Sequence, residues 1–486
     1  MADNVVDSTT TDPPAAAGAS HETYAVVNHD LRGPGHTLKE GDATANATAE
    51  QAANRPSSSP SRAPMRNFYI IASGYLIFTF TDAALRMIVL FALYQRHFEP
   101  LQIATMFASY EACGVFTNLL GGIAGSRWGL RLCILSGLMF QLIGISLLFA
   151  LVRADSWPRG AVMAYVLIAQ ASSGIAKDLV KLAGKSVTKL VAKDDERTHS
   201  PLFRLVAGLT GMKNSIKGLG FFGGAALLNF AGLWPALLVL AVLCAVPVPA
   251  CLRLDRDLGV AKHPQKTTLR SIFDKGRAVN TLSLARVFLF GARDLWFEVV
   301  LPIYLRAMFG WSFVAAGSFL AAWIVTYGAV QTATPEYILK PLRCYPIRKG
   351  RMLVPWAIAL FFITGGLAGF LTAERTVAPG DGSHGMLAGL VVGLWAFAFC
   401  FAVSSSIHSY LIVAYAGKDK VAINVGFYYC ANAIGRLTGT VLSGWLYQYY
   451  GLYVCLWASC GFLLLSVVIN AFLPPVLPAA TPAGGA

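Results

Sequence analysis

Long apolar runs separated by short polar loops dominate the chain from about residue 63 onward. Each run has about 20 residues, the length that an α-helix needs to cross a ~30 Å hydrocarbon layer, and there are about twelve of them. They begin near Asn67, Leu101, Cys133, Ala161, Thr210, Trp234, Arg286, Ser312, Val354, Met386, Ile423 and Leu452. The pattern predicts an all-α integral membrane protein with about twelve transmembrane helices.

A polar segment divides these runs into two groups of six, which is the layout of a two-bundle carrier. We predict an N-terminal six-helix bundle at 63–252, a cytoplasmic connector at 253–285 and a C-terminal six-helix bundle at 286–473. Residues 1–62 have few large apolar side chains and are rich in Ala, Thr, Ser, Gly and Pro. A disordered cytoplasmic tail is predicted there, because such a segment cannot bury enough apolar surface to fold. A short cytoplasmic tail is predicted at 474–486.

The composition agrees with a membrane protein. Of the 486 residues, 56% are hydrophobic and 13% are charged, whereas soluble domains are about 25% charged. The net charge of +14 lies mainly in the segments predicted to be cytoplasmic, including the connector up to Arg286. The predicted external loops contain only five basic residues, which are Arg96, Arg153, Arg159, Arg306 and Arg375. This asymmetry predicts that both termini are cytoplasmic, and it accounts for the positive charge without a nucleic-acid partner.

Charged side chains inside the predicted spans indicate a functional cavity, because hydrocarbon penalises each one by about 2.5 kcal/mol or more at mid-depth. The basic ones are Arg86, Lys177, Lys181, Lys213, Lys217, Arg293 and Arg436, and the acidic ones are Asp82, Glu111, Asp178, Asp294 and Glu298. The basic excess comes from both halves, and Lys and Arg donate to phosphate-like oxygens. We therefore predict an anion site between the bundles, to which Asn432 and Tyr428 add polar groups.

Some of these charges also have structural explanations. Asp82 and Arg86 are four residues apart on one helix face, where they can form an ion pair. Glu111 can neutralise a buried lysine, and Lys181 can extend its ammonium group to the lipid headgroups. For these side chains the sequence leaves both a structural role and a substrate role open.

An ion gradient is the predicted source of energy, with proton antiport as the favoured form. Asp294 and Glu298 are like charges on one face of a predicted helix, so one of them can carry a proton. The candidates for proton coupling are Asp82, Glu111, Asp294 and Glu298. No Walker A loop, metal-ligand cluster or catalytic triad is evident in the sequence, so we predict no cofactor, no metal site and no enzymatic activity.

The loop between the second and third spans resembles the signature loop of the major facilitator superfamily, G-x-L-A-D-R-x-G-x-R. The matching residues are Gly122, Arg127, Gly129 and Arg131, while Ser126 replaces the usual aspartate. The resemblance implies a cytoplasmic gating loop, here without the aspartate of the usual charge-linked latch.

A more specific resemblance is to the organoarsenical efflux permeases, the ArsJ group of that superfamily, over residues 67 to 472. It rests on the segments around Asp82 and Arg86, Lys177 and Asp178, Gly184 and Ser186, Lys213 and Lys217, Arg293 and Trp296, and Gly435 and Arg436. The resemblance implies export of 1-arseno-3-phosphoglycerate, which glyceraldehyde-3-phosphate dehydrogenase makes from arsenate. Arsenate resistance would follow, with that dehydrogenase as the functional partner.

The cargo implied by this resemblance has a phosphate at one end and an arsenate at the other. We expect one basic cluster per end, with Lys177, Lys181, Lys213 and Lys217 in one half and Arg293 and Arg436 in the other. The protein is predicted to act as a monomer in the lipid bilayer of the plasma membrane. Two alternatives are a carrier of the same fold for phosphate, arsenate or another organophosphate, and a membrane-bound transferase. The second would require acidic metal-binding loops, and the loops here are basic.

Overall fold

The computed structural model describes residues 62–193, 201–256, 258, 276–344, 350–415 and 421–475. The predicted N-terminal tail up to residue 61, much of the predicted connector and most of the predicted C-terminal tail lie outside these residues. The two-bundle boundaries therefore stay a prediction, and the description below concerns the helices.

The first half of the described chain contains six α-helices, which are α1 (Arg62–Gln95), α2 (Pro100–Leu148), α3 (Arg159–Lys193), α4 (Pro201–Ala231), α5 (Leu233–Ala245) and α6 (Val248–Leu252). A 3₁₀ segment, Phe149–Ser156, follows α2. Helix α2 is interrupted at Gly129, whose φ of 77° and ψ of 166° are not helical. Glycine adopts this backbone conformation without a Cβ clash. The interruption separates the two spans predicted from Leu101 and Cys133.

The second half of the described chain contains α7 (Arg277–Asp294), α8 (Val300–Phe309), α9 (Phe313–Ala333), α10 (Leu353–Ala373), α11 (His384–Tyr415), α12 (Val421–Tyr450) and α13 (Leu452–Ala471). A π-helical segment, Thr334–Leu339, continues α9, and a 3₁₀ turn, Gly350–Met352, precedes α10. Five of the six predicted spans of this half each coincide with one helix, and the seventh predicted span of the chain is divided between α7 and α8.

Seven segments in the described part of the chain are long and apolar enough to cross a membrane by length and composition. They are Met65–Gln95, Gly129–Ser156, Leu233–Leu252, Phe313–Leu339, Gly350–Ala373, His384–Ile412 and Leu452–Ala471. The other five predicted spans coincide with helical segments that contain the buried charges, including Glu111, Lys177, Lys217, Arg293 and Arg436. The spans with weaker apolar character thus contribute most of the interior charges, to which the strongly apolar α1 adds Asp82 and Arg86.

The seventh predicted span is not one continuous helix. Helix α7 ends at Asp294, α8 begins at Val300, and the residues between them form turns. Pro302 explains this break, because proline has no N–H to donate to the carbonyl of residue 298 and its ring clashes with that carbonyl. Our expectation that Asp294 and Glu298 share one helix face is therefore wrong, since Glu298 lies in the turn segment.

Two helix pairs join the halves of the described structure. Helix α2 packs against α12, and α4 packs against α9. Within the first half α1 packs against α3, α4 and α5, and within the second half α7 packs against α12 and α13. Helices α1 and α7 thus occupy equivalent positions in the two halves, and each contributes charged side chains to the interior.

Candidate functional site

A cavity of about 580 Å³ lies between the helices of the two halves. This volume falls within the usual range for small-molecule sites, about 300–1,000 Å³. The charged side chains that line it are Asp82, Arg86, Glu111, Lys177, Asp178, Lys181, Lys213, Lys217, Arg286, Arg293 and Arg436. The cavity therefore brings together all seven basic residues that the sequence predicted for the site.

Close approach of helix backbones places these charges side by side. A Cβ on Gly174 of α3 would lie 2.4 Å from the carbonyl oxygen of Tyr110 on α2. A Cβ on Gly435 of α12 would lie 2.2 Å from the carbonyl oxygen of Val287 on α7. Only glycine permits such contacts. Lys177 and Asp178, which follow Gly174, and Arg436, which follows Gly435, are thereby brought against the facing helix.

Glu298 is a centre of ionic contacts that connects four helices. Its carboxylate pairs with Arg86 of α1, lies 3.4 Å from Lys217 Nζ of α4, and accepts hydrogen bonds of 2.9 Å from Arg436 Nη2 of α12. Arg293 Nη2 lies 3.9 Å away. Because Glu298 is only 2% exposed, its negative charge depends on these basic partners.

Glu111 and Asp294 extend these contacts. Glu111 lies 3.3 Å from Lys177 Nζ and 2.8 Å from Arg436 Nη2, while Asp294 accepts from Arg293 Nε at 2.6 Å and from Arg436 Nε at 2.9 Å. We call these groups the central ion network, which consists of Arg86, Glu111, Lys177, Lys217, Arg293, Asp294, Glu298 and Arg436. Because Glu298 binds both Lys217 and Arg436, the two basic clusters expected from the sequence meet in one network.

The ion pair expected between Asp82 and Arg86 does not form. Arg86 instead pairs with Glu298 and with Glu111, whose Oε1 is 3.3 Å from Arg86 Nη2. Asp82 accepts hydrogen bonds of 2.7 and 2.8 Å from the Tyr110 hydroxyl, and no basic side chain in the described chain lies within 4.0 Å of it. The i,i+4 spacing did not predict the partner of Arg86, because carboxylates from other segments approach its guanidinium more closely than Asp82 does.

Lys181 and Lys213 also line the cavity. Lys181 Nζ donates to Asn118 Oδ1 at 3.1 Å and to Asp178 Oδ1 at 3.3 Å, and it lies 4.5 Å from the centre of the Tyr429 ring. Its ammonium group therefore points inward and not to the headgroups. Lys213 has no ion pair with any carboxylate of the described residues.

Arg286 is a cavity residue that was not predicted for the site, because the predicted boundary between the connector and the seventh span fell on it. Helix α7 begins at Arg277, so Arg286 lies well inside it and is only 5% exposed. Arg286 Nε donates to Asn432 Oδ1 at 3.0 Å and Nη1 donates to Ser405 Oγ at 3.3 Å. Helical spacing was the signal that could have identified it, since positions 286, 290 and 293 of α7 all line the cavity.

Neutral side chains surround Arg286. Ser405 Oγ accepts from the Tyr327 hydroxyl at 3.1 Å and from Gln331 Nε2 at 3.5 Å, in addition to its contact with Arg286. Gln331 Oε1 accepts from Asn214 Nδ2 of α4 at 3.2 Å, which links this group to the first half. We call Arg286, Tyr327, Gln331, Ser405 and Asn432 the polar niche.

Of the polar residues predicted on α12, Asn432 lines the cavity but Tyr428 does not. Tyr428 is buried behind the wall, and its hydroxyl has no hydrogen-bond partner among the described residues. Tyr429 lines the cavity in its place. Helical spacing accounts for the difference, because Tyr429 is seven residues, or about two turns, before Arg436.

The residues of the predicted gating loop are only partly described. Gly129 produces the interruption of α2, and Arg131 follows it on the partly exposed surface. The surroundings of Gly122 and the side chain of Arg127 lie outside the described part of the chain. The gating role of all four residues stays a prediction.

The cavity extends from the central ion network toward the end of the helices at which α1 begins. Its lining continues in that direction through Tyr75, Asn118, Gly184 and Ser409.

The opposite side is packed with aromatic rings. Phe91 and Phe313 are 4.7 Å apart between ring centres, and Tyr304 and Tyr447 are 6.5 Å apart. At the far end Gln448 accepts a hydrogen bond of 3.2 Å from the Leu101 N–H. Within the described chain, the cavity is thus closed on the side away from the start of α1.

The donors of this cavity suit an anion. Eight basic side chains line it, and even with Asp294 and Glu298 included there are five acidic ones. Arginine and lysine donors recognise phosphate and carboxylate oxygens. Among the described residues, no group of three or more His, Cys, Asp or Glu side chains is placed to hold a metal ion.

Comparison with known proteins now identifies the fold. A point mutant of the nucleoside transporter NupG superposes with a TM-score of 0.62 at 14% identity, covering 84% of this chain and 99% of that one. The human organic anion transporter MFSD10 (TETRAN) superposes with a TM-score of 0.58 at 18% identity, covering 85% of this chain and all of that one. No family model and no curated protein sequence matches the chain.

The chain has the major facilitator fold. The predicted all-α membrane architecture is thereby confirmed. The similarity to both transporters spans nearly the full length of each, so the protein is an integral membrane protein with the architecture of this class of transporter. The more specific resemblance to the organoarsenical permeases is not tested by these similarities.

Proposed function

We propose that the protein is an alternating-access carrier that exports a phosphorylated organoarsenical, 1-arseno-3-phosphoglycerate, and thereby confers arsenate resistance. The observation that carries this proposal is the cavity between the two halves, in which eight basic side chains outnumber the acidic ones. A cargo with a phosphate and an arsenate needs several cationic donors at separate points. Sequence resemblance to the ArsJ group supplies the identity of the cargo, and the charge of the cavity is consistent with it.

The shape of the cavity and the predicted topology are consistent with export. With both termini cytoplasmic, the end at which α1 begins faces the cytoplasm, and the cavity extends toward that end. The aromatic contacts between Phe91 and Phe313 and between Tyr304 and Tyr447 then close the external side. This is the conformation in which an exporter loads its cargo.

Proton antiport is the proposed coupling, and Asp82 is the candidate that the geometry favours. Glu111 and Glu298 each lie within 4.0 Å of at least three basic side chains, whose positive charges favour the charged form, and Asp294 pairs with Arg293 and Arg436. Asp82 faces a tyrosine hydroxyl and lacks a basic partner within 4.0 Å among the described residues. It can therefore gain and lose a proton at a smaller electrostatic cost.

Export of a simpler anion, such as phosphate, arsenate or an ordinary organophosphate, is the second candidate. The observation in its favour is that most basic groups in the centre of the cavity already have carboxylate partners. Fewer cations are then available to the cargo, and the remaining ones are sufficient for one anionic head group.

Survival of cells on arsenate tests the proposal. In a host without arsenate defences, we expect the protein to protect only when glyceraldehyde-3-phosphate dehydrogenase is co-expressed, because the dehydrogenase makes the cargo. Equal protection without the dehydrogenase would contradict export of the organoarsenical and would favour arsenate itself. No protection under either condition would contradict export of the organoarsenical and of arsenate alike, and would favour phosphate or an ordinary organophosphate as the cargo.

A further inference from the structure

Arg286 differs from the other buried arginines of the cavity in the chemistry of its partners. Arg86, Arg293 and Arg436 each contact carboxylates, whereas the Arg286 guanidinium donates to the Asn432 amide and the Ser405 hydroxyl. In the described chain, no carboxylate lies within 4.0 Å of Arg286. A positive charge that is only 5% exposed is therefore balanced by neutral dipoles.

A buried charge without a counterion is costly, and proteins retain such groups mainly where function needs them. The cost falls when an anion enters and forms charge-assisted hydrogen bonds with the guanidinium. Neutral partners suit this purpose, because they hold the guanidinium in place without competing for its charge. The carboxylates of the central ion network compete for the charge of their arginines.

The surroundings of Arg286 also define which part of it a ligand can reach. The Phe290 ring lies 3.7 Å from the centre of the guanidinium, and the Tyr428 ring lies 5.1 Å from it. These rings pack against the guanidinium, while its edge holds the N–H donors, of which those on Nε and Nη1 bond to Asn432 and Ser405. The Ser405 hydroxyl lies beside that edge, where it accepts from Arg286 and Tyr327 and keeps its own O–H as a donor of the kind that a phosphate oxygen accepts.

We propose that Arg286, Ser405 and Asn432 form a subsite for the tetrahedral oxyanion head group of an organic phosphate. Lys213 of α4, the other cavity cation with no carboxylate partner among the described residues, binds the opposite end of the same cargo. Arg286 belongs to the second half and Lys213 to the first, so one molecule would contact both halves. This inference rests on the proposed function, since it takes the cargo to be an anion.

Anion binding to the purified full-length protein tests the inference, with radiolabelled inorganic phosphate and radiolabelled 3-phosphoglycerate as probes. R286Q should weaken the binding of both probes about 30-fold or more, because hydrogen bonds to a charged group contribute about 1.5–3 kcal/mol and 1.4 kcal/mol is tenfold. R286K should weaken it about tenfold, since lysine keeps the charge but loses the forked donors. S405A should weaken it about fivefold. The matched control is R375Q, at an exposed loop arginine, which should bind as the wild type does.

The outcomes separate this inference from the proposed function. A folded R286Q protein that binds both probes with wild-type affinity would overturn the inference and leave the proposed function standing. Should R286Q fail to fold, wild-type affinity in either R286K or S405A would overturn it instead. A wild-type protein that binds neither probe would contradict both ideas. Normal dependence on Arg286 together with no arsenate protection in cells would contradict the proposed function alone.

Discussion

The central ion network and the polar niche surround their buried arginines with opposite kinds of partner, charged in the network and neutral in the niche. In the network, Glu298 and Glu111 together contact Arg86, Lys177, Lys217 and Arg436. In the niche, Arg286 donates its hydrogen bonds to neutral groups. Both sets of charges lie in the same cavity, a few helical turns apart.

This difference shows that the number of basic residues in a cavity does not by itself measure its capacity for anions. An arginine shared among carboxylates has already formed its charge-assisted bonds, and a cargo must displace those partners to use it. An arginine held by neutral groups is available at once. We therefore expect network residues to be important for structure and for coupling between the halves, and niche residues to be important for affinity.

The largest effect is expected from E298Q. The substitution removes the negative charge that Arg86, Lys217 and Arg436 share, and loss of one partner from a buried ion pair costs about 3–5 kcal/mol. The thermal unfolding temperature in detergent should fall clearly. E336Q is the matched control, because Glu336 is exposed and pairs with exposed Lys340 at 3.8 Å. Equal unfolding temperatures for E298Q and E336Q would show that the network does not stabilise the fold.

An intermediate effect is expected from D82N, because Asp82 lines the cavity but belongs to neither group. The amide cannot carry the proton, so export driven by a proton gradient should be lost, while exchange of labelled for unlabelled cargo continues. Both rates can be measured in the same reconstituted vesicles. D155N, at an exposed carboxylate 3.2 Å from Arg96, is the control. Proton-driven export at the wild-type rate in D82N would exclude Asp82 from coupling.

The smallest effect is expected from Y428F, which tests whether the Tyr428 hydroxyl lies outside the cargo site. Because the Tyr428 hydroxyl is buried without a hydrogen-bond partner in the described structure, its removal should leave stability unchanged or raise it by about 1 kcal/mol. Anion affinity should also stay at the wild-type level. A clear loss of affinity in Y428F would place this hydroxyl at the cargo after all, as the sequence suggested.

The sequence predicted the architecture well because bilayer thickness fixes the length of an apolar helix, and that length is visible in the sequence. The buried charges were also visible, since charged residues within long apolar runs are rare. All seven basic residues predicted for the site line one cavity. Their roles as cargo-binding residues stay a prediction.

The partners of those charges were not predictable from local spacing. Arg86 pairs with Glu298, 212 positions away, and not with Asp82 four positions away. That contact depends on the break between α7 and α8, which Pro302 favours but whose geometry the sequence does not specify. Arg286 was missed because the predicted start of the seventh span fell on it. The same helix extends back to Arg277.

A transport assay in which the cargo is formed at the cytoplasmic face of the membrane tests the central claim most directly. Inverted membrane vesicles that contain the protein would be supplied with glyceraldehyde-3-phosphate dehydrogenase, its substrates and labelled arsenate, and arsenic inside the vesicles would be measured. We predict accumulation only when the dehydrogenase is present and the membrane holds a proton gradient. Accumulation at the same rate without the dehydrogenase, or none in the complete mixture, would contradict the account.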